Sequence, residues 1–147
     1  MLFHDQALFK PALHGGPVLW HQDNAYWQCR PANLVSCWLT LDDAVKANGA
    51  MQVIPGSHLK PVWHGASTAT NALIETPGVD ESKAVVVELP AGGCMFHHCQ
   101  TLHYTEPNTT ERLRRAFVMH FMAPGTSNKK GEVMRSGFGH PLLRMCV

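Results

Sequence analysis

Apolar and polar residues alternate over short stretches of this chain, and clusters of Gly, Pro and Asn interrupt the alternation before it reaches helical length. The pattern predicts strands over 2–10, 17–22, 34–41, 51–54, 84–89, 94–98, 100–104 and 115–122. Turns fall at Ala12 to Pro17 with its Gly-Gly pair, Ala47-Asn48-Gly49, Pro55-Gly56-Ser57, and Pro90 to Gly93 with a second Gly-Gly. Asp42 to Lys46 has room for one helical turn at most. From His64 to Lys83 the periodicity is weak, which reads as a long loop of the kind that covers a site. Many short strands with turns between them make an all-β sandwich or barrel the expected architecture. Residues 1–125 form its core and residues 126–147 a loosely structured tail, with Gly137-Phe138-Gly139 as a flexible spot.

Composition supports one folded domain, since 45% of the 147 residues are apolar. A formal charge of +1, with both signs mixed along the chain, leaves no basic stripe for nucleic acid or an anionic membrane. A small-molecule partner is the expectation. Five cysteines, an odd number without a Cys-x-x-Cys pair, suggest a reducing, cytoplasmic compartment and buried thiols at Cys29, Cys37, Cys94 and Cys99. The N-terminus lacks a basic segment followed by an apolar stretch, and no apolar run is long enough for a membrane helix.

Ten histidines raise the prospect of a metal. In Trp20-His21-Gln22-Asp23, an imidazole and a carboxylate two residues apart would share one face of a strand. Two histidines and one carboxylate leave coordination positions open, as in non-haem Fe(II) oxygenases. Candidates for the third position are His97, His98, His103 and His120. His103 and Thr105 are again an i, i+2 pair, and the turn from Glu106 to Glu111 returns the chain so that Arg114 lies beside them. A metal with a fixed guanidinium and a hydroxyl nearby can hold a dicarboxylate. Arg115 is the rival to Arg114, but Arg114 shares strand parity with His120.

These residues carry a resemblance. The chain resembles the phytanoyl-CoA dioxygenase family of Fe(II)/2-oxoglutarate-dependent oxygenases from about His4 to Met122. The matching features are Trp20-His21-Gln22-Asp23, Asn48-Gly49-Ala50-Met51 leading into Pro55-Gly56-Ser57-His58, and His103 with Arg114 eleven residues on. The resemblance implies a double-stranded β-helix, a cupin-like jelly roll with long loops. It implies His21, Asp23 and His103 as iron ligands, Arg114 and Thr105 gripping the far carboxylate of 2-oxoglutarate, and Gln6 and Trp38 lining the co-substrate pocket. The implied reaction consumes O2 and 2-oxoglutarate, releases succinate and CO2, and hydroxylates a small organic metabolite, with ascorbate as a stimulant. Related halogenases replace the carboxylate ligand, so Asp23 favours hydroxylation.

Relatives carry a larger helical portion in front of this core. Its absence here predicts an uncovered sheet face and self-association, and makes a catalytically inactive jelly-roll fragment or paralogue the alternative function. A zinc hydrolase could use the same ligand types but would need a Glu base that the sequence does not offer. His97 and His98 face opposite ways on one strand, so at most one approaches the site. Pro55 to His58 reads as a turn with Ser57 as its capping hydroxyl. Asn24, Tyr26 and Trp27 are candidates for substrate contact or core packing.

Overall fold

The structure, a computed structural model, describes residues 1–67 and 74–136. Ten strands follow in order: β1 (Leu2–Lys10), β2 (Val18–His21), β3 (Val35–Thr40), β4 (Met51–Val53), β5 (Gly65–Ala66), β6 (Ile74–Glu75), β7 (Val85–Val87), β8 (Cys94–His98), β9 (His103–Thr105) and β10 (Arg114–Phe121). The chain crosses repeatedly between two four-stranded sheets, β1-β10-β3-β8 and β2-β9-β4-β7. All pairings in them are antiparallel. This is the expected double-stranded β-helix. Trp38, Ala116 and Val118 of the first sheet pack with Ala50 and Met51 at the start of β4 in the second, so the core lies between the sheets. A smaller cluster of Cys29, Leu34, Cys99 and Met122 closes one end, with Phe3 and Trp27 against it.

Strand β10 shows why these residues form a half-buried strand. Arg114, Ala116, Val118 and His120 are buried while the residues between them are partly or fully exposed, the period of two that a sheet face imposes. The outer face of the first sheet leaves Phe9, Val35 and Phe96 exposed.

Several expectations are revised. The β9 strand begins at His103 and not at 100, because Thr101 N–H turns back onto the His98 carbonyl. β10 begins one residue early, at Arg114, which extends its pairing with Lys10. The helical turn expected at Asp42 to Lys46 is a 3₁₀ turn at Lys46–Asn48. Within the stretch expected to be all loop, β5 and β6 pair antiparallel and Glu81–Lys83 forms another 3₁₀ turn. Part of the expected tail is tied down: Ser127 bridges Arg30 and Val133, and Met134 packs against the second cluster. Gly137-Phe138-Gly139 and Cys146 lie outside the described residues. Cys94 is exposed, since it faces outward on edge strand β8, whereas Cys29, Cys37 and Cys99 are buried and all four are free thiols. Among the described residues, no helix is long and apolar enough to cross a membrane.

Candidate metal centre

His21 and His103 are opposite one another across β2 and β9, although Val18 pairs with Thr105. Three steps on one strand match two on the other, so an irregularity between Val18 and His21 turns the imidazole toward its partner, as bulges beside sites do. The ring centroids are 4.2 Å apart. Each ring is tethered by its own strand: His21 Nδ1–H donates to the Leu19 carbonyl at 2.8 Å and His103 Nδ1–H to the Thr101 carbonyl at 2.9 Å. The tether fixes ring orientation and leaves Nε2 as the atom presented inward.

Asp23 does not share a strand with His21, contrary to expectation. β2 ends at His21, and Asp23 has helical φ/ψ of −53° and −36° at the entry to a single α-turn, α1 (Asn24–Trp27). Parity is therefore not what joins the pair. The turn is held by Asn24 N–H on the Cys99 carbonyl and by the Asn24 side chain, whose Oδ1 accepts from Cys29 N–H. It swings the carboxylate inward, where Oδ1 lies 3.6 Å from His21 Nε2 and 3.5 Å from His103 Nε2. Ligand atoms of His21, Asp23 and His103 all fall within 4.8 Å of one another, and all three residues are buried.

The chemistry of these three atoms asks for a cation. With each Nδ1 proton committed to a carbonyl, the inward atoms are two imidazole nitrogens and a carboxylate oxygen, none with an evident proton to share. Burial pushes the Asp23 carboxyl up, but His103, His21 and His97 together outweigh it and hold the group well below the usual range. Burial drives the His103 imidazole down to about 3, so it is a neutral ligand. Converging lone pairs without a donor suit a divalent ion bound by two His and one carboxylate.

Gln22, between two of these residues, points its amide elsewhere. It donates to the Lys60 carbonyl at 2.9 Å and the Gln100 carbonyl at 2.6 Å, and accepts from Val62 N–H at 3.1 Å. Ser57 does act as a turn hydroxyl: it donates to the Ile54 carbonyl and accepts from Leu102 N–H, just ahead of His103. Trp27 packs in the second cluster, 4.5 Å from the His120 ring, while Tyr26 stands edge-on to His21 at 5.7 Å. A cleft of about 400 Å³ runs along the other side of the motif, lined by Gln22, Asn24, Gln28, His64 and Lys129 among others, with none of the three metal candidates in its wall.

The turn from Glu106 to Glu111 does not set Arg114 beside His103 and Thr105 on a paired strand: Thr105 lies on β9 of one sheet and Arg114 on β10 of the other. Arg114 is 2% exposed; its Nη2 donates to the Gly49 carbonyl at 3.2 Å, and its Cζ lies 5.7 Å from the Trp38 ring centroid. Its Nε and Nη1, and Thr105 Oγ1, are buried without a hydrogen-bond partner in the protein. Unpaired buried donors cost about 1–3 kcal/mol each, so the two guanidinium nitrogens are groups that an anionic ligand would satisfy. Burial lowers the Arg114 guanidinium to about 10, which still leaves it charged. Arg115 points outward and forks onto Asp42, with Nε to Oδ2 at 2.9 Å and Nη2 to Oδ1 at 2.7 Å.

Trp38 is buried beside Arg114, as described, but Gln6 is exposed; it lies opposite Val118 and outside the buried cluster. Of the other histidines, His97 reaches Asp23 Oδ2 at 3.3 Å and His98 turns away toward His58, 5.6 Å between rings. Lys10 and Ser36 were missed from sequence, whereas His97 is the one of the two adjacent histidines that approaches the site, as the alternation allowed. Lys10 is buried opposite Arg114 with its amine on the Gly16 carbonyl, and burial beside Arg114 brings it down to about 8. Ser36 could have been found from its parity with Trp38, which with Thr40 puts it on the inward face of β3.

Fold and site together define the cupin-like architecture of 2-oxoglutarate oxygenases. The model of the phytanoyl-CoA dioxygenase family matches residues 1–116, and the chain belongs to that family. It is 32% identical over 128 residues to phytanoyl-CoA dioxygenase domain-containing protein 1 of Bos taurus, covering 81% of this chain and 44% of that protein. It is 29% identical to a probable alpha-ketoglutarate-dependent hypophosphite dioxygenase of Stutzerimonas stutzeri, over 83% of this chain and 45% of that one. Among solved structures it superposes on EvdO2 of Micromonospora carbonacea var. aurantiaca complexed with 2-oxoglutarate, with a TM-score of 0.75, 34% identity, and coverage of 86% of this chain and 53% of that one. The chain thus spans less than half the length of these curated relatives.

Proposed function

We propose that this chain carries the catalytic core of an Fe(II)- and 2-oxoglutarate-dependent oxygenase that hydroxylates a small organic metabolite. The observation that carries the reading is the convergence of His21 Nε2, His103 Nε2 and Asp23 Oδ1 inside a jelly roll of this family. His21, Asp23 and His103 would hold Fe(II), whose chemistry when bound is the O2-dependent oxidative decarboxylation of 2-oxoglutarate to succinate and CO2, coupled to substrate hydroxylation.

The protein's own contributions follow from its side chains. The Leu19 and Thr101 carbonyls keep both imidazoles in the metal-binding tautomer without any reorganisation at the moment of binding. Arg114 offers two unpaired donors, and Thr105 a hydroxyl, to the far carboxylate of 2-oxoglutarate. Trp38 backs the guanidinium by a cation–π contact. The carbonyl of Gly49 takes the remaining direction of the guanidinium fork, so Arg114 cannot rotate freely. Gln6 is accessible but on the inward-facing side of β1, opposite Val118, and would meet the co-substrate or substrate where the barrel opens.

Succinate formation from 2-oxoglutarate under air, with Fe(II) and ascorbate, tests the reading on wild type, His21→Ala and Arg114→Ala. Turnover in wild type that both substitutions reduce supports it. Absence of iron binding, or equal turnover in all three, overturns it.

A further inference from the structure

Asp23 has more partners than metal ligation requires, and they all sit on one of its oxygens. One lateral row of inward side chains crosses the first sheet: His4 lies opposite His120, His120 opposite Ser36, and Ser36 opposite His97. The neighbouring inward row on the same sheet is apolar on three of its four strands, with Val118, Trp38 and Met95 in register and the exposed Gln6 as its member on β1. Ser36 is fully buried, His120 is 2% exposed and His97 7%. A polar row in such a place is costly unless its members are paired.

The pairing runs to Asp23 Oδ2. Ser36 Oγ–H donates to it at 2.9 Å, and His97 Nε2–H donates to the same oxygen at 3.3 Å. Ser36 has one proton, so with that proton on Asp23 its oxygen accepts from His120 Nδ1–H at 2.8 Å. His120 is thereby what gives the serine its direction. Burial lowers His120 to about 4, which leaves it neutral with Nδ1 as its protonated nitrogen. Among the described residues Oδ1 receives none of these donors, and it faces His21 Nε2 and His103 Nε2.

A free carboxylate can chelate an ion through both oxygens. We propose that Ser36 and His97, with His120 behind Ser36, are positioning residues that commit Asp23 to offering the metal a single oxygen, Oδ1. This rests on reading His21, Asp23 and His103 as the iron site. One-oxygen ligation leaves three positions on a six-coordinate ion after the two imidazoles, enough for a chelating 2-oxo acid and O2. Two-oxygen ligation would take one of those three. The row therefore protects the position count on which the reaction depends.

Co(II) titration of the metal-free protein followed by visible absorption tests this, with 2-oxoglutarate then titrated onto the Co(II) form. Wild type, Ser36→Ala, Ser36→Thr, His97→Phe and His97→Gln are compared, with thermal melts alongside and His21→Ala as the ligand-deletion control. Expected for Ser36→Ala and His97→Phe are a changed Co(II) spectrum and affinity for Co(II) or 2-oxoglutarate weakened about 10- to 100-fold, the range for outer partners of metal ligands. Ser36→Thr and His97→Gln, which keep a donor, return the wild-type spectrum. If Ser36→Ala and His97→Phe melt lower yet bind both ligands with wild-type spectrum and affinity, the row only fills space and the proposal is overturned. If wild type binds no more Co(II) than His21→Ala, the iron reading fails and this inference falls with it. Wild-type binding that His21→Ala abolishes, with Ser36→Ala unchanged, sinks this inference alone.

Discussion

The two sheets divide the work unequally. Strands β2, β4, β7 and β9 are three or four residues long, yet they bring in both imidazole ligands. Strands β1, β3, β8 and β10 run from five to nine residues and supply none of the three converging groups. Instead they carry Arg114, Trp38, Ser36, His97 and His120. A long, continuously paired sheet holds its side chains in fixed relation, and that suits groups that must orient others. The short strands gain their precision from local tethers: backbone carbonyls for the two rings, and Ser57 for the entry to β9.

The widest gap between the sheets comes from removing a ligand. His21→Ala or His103→Ala should leave the first sheet and the melting temperature nearly intact while succinate formation drops by more than about 100-fold, beyond what loss of an outer partner causes. A comparable loss of stability would show that the second sheet depends on the rings for folding as well.

Removing the first sheet's cation comes next. Arg114→Met should raise the KM for 2-oxoglutarate by about 100-fold, in the range for truncating one partner of a buried charge pair. Arg114→Lys should recover only part of this, because an ammonium cannot reproduce the fork that meets Gly49 and leaves two donors inward. An unchanged KM in a substrate-dependent assay would detach Arg114 from the co-substrate.

Gly49 lies where the sheets meet, and its effect should be on stability first. Its φ is +87°, and a Cβ there would come within 2.6 Å of the Glu106 carbonyl and 2.7 Å of Lys10 Cδ. Gly49→Ala should cost at least about 1–3 kcal/mol, read from chemical denaturation. A neutral outcome would mean that the 46–49 turn can relax.

The smallest effect belongs to the outer face. Hydrogen bonds from Arg115 hold the Asp42 carboxyl down to about 2 from an ordinary 3.8. A carboxyl lowered by folding contributes fully above its unfolded value and loses that contribution as pH falls toward 2. Asp42→Asn should therefore cost less than about 1 kcal/mol at neutral pH, as for exposed pairs, and nothing below pH 2. Denaturant midpoints at pH 7 and at acid pH check both halves.

Much of the fold was legible because alternation is a direct imprint of a sheet face. The bounds of β1 and β8 follow from pattern alone, and Arg114 was separable from Arg115 by parity with His120. Asp23 shows where that reasoning stops. Its position two residues from His21 suggested a shared strand face, but the chain leaves the strand after His21, and a one-turn helix makes the same neighbourhood by another route. Period-two logic has no term for a strand that ends between its two residues of interest. Ser36 and His97 were legible only in part: parity turns one hydroxyl and one of two histidines inward, but their partners come from lateral register across strands, which no local window contains. Lys10 belongs with them, a buried cation at a strand end whose partner is a carbonyl six residues on.

Gln22 gives the motif a mechanical side. Its amide is satisfied by the 60–62 segment and by Gln100, so the peptide that spaces His21 from Asp23 is bolted to a surface loop. Displacement of that loop, by a bound molecule or by a change in its length, must pull on the peptide between a ring ligand and the carboxylate. Variation in segment 57–62 is thus constrained by the metal centre beneath it, and diversification of what this barrel accepts is easier in loops that Gln22 does not hold.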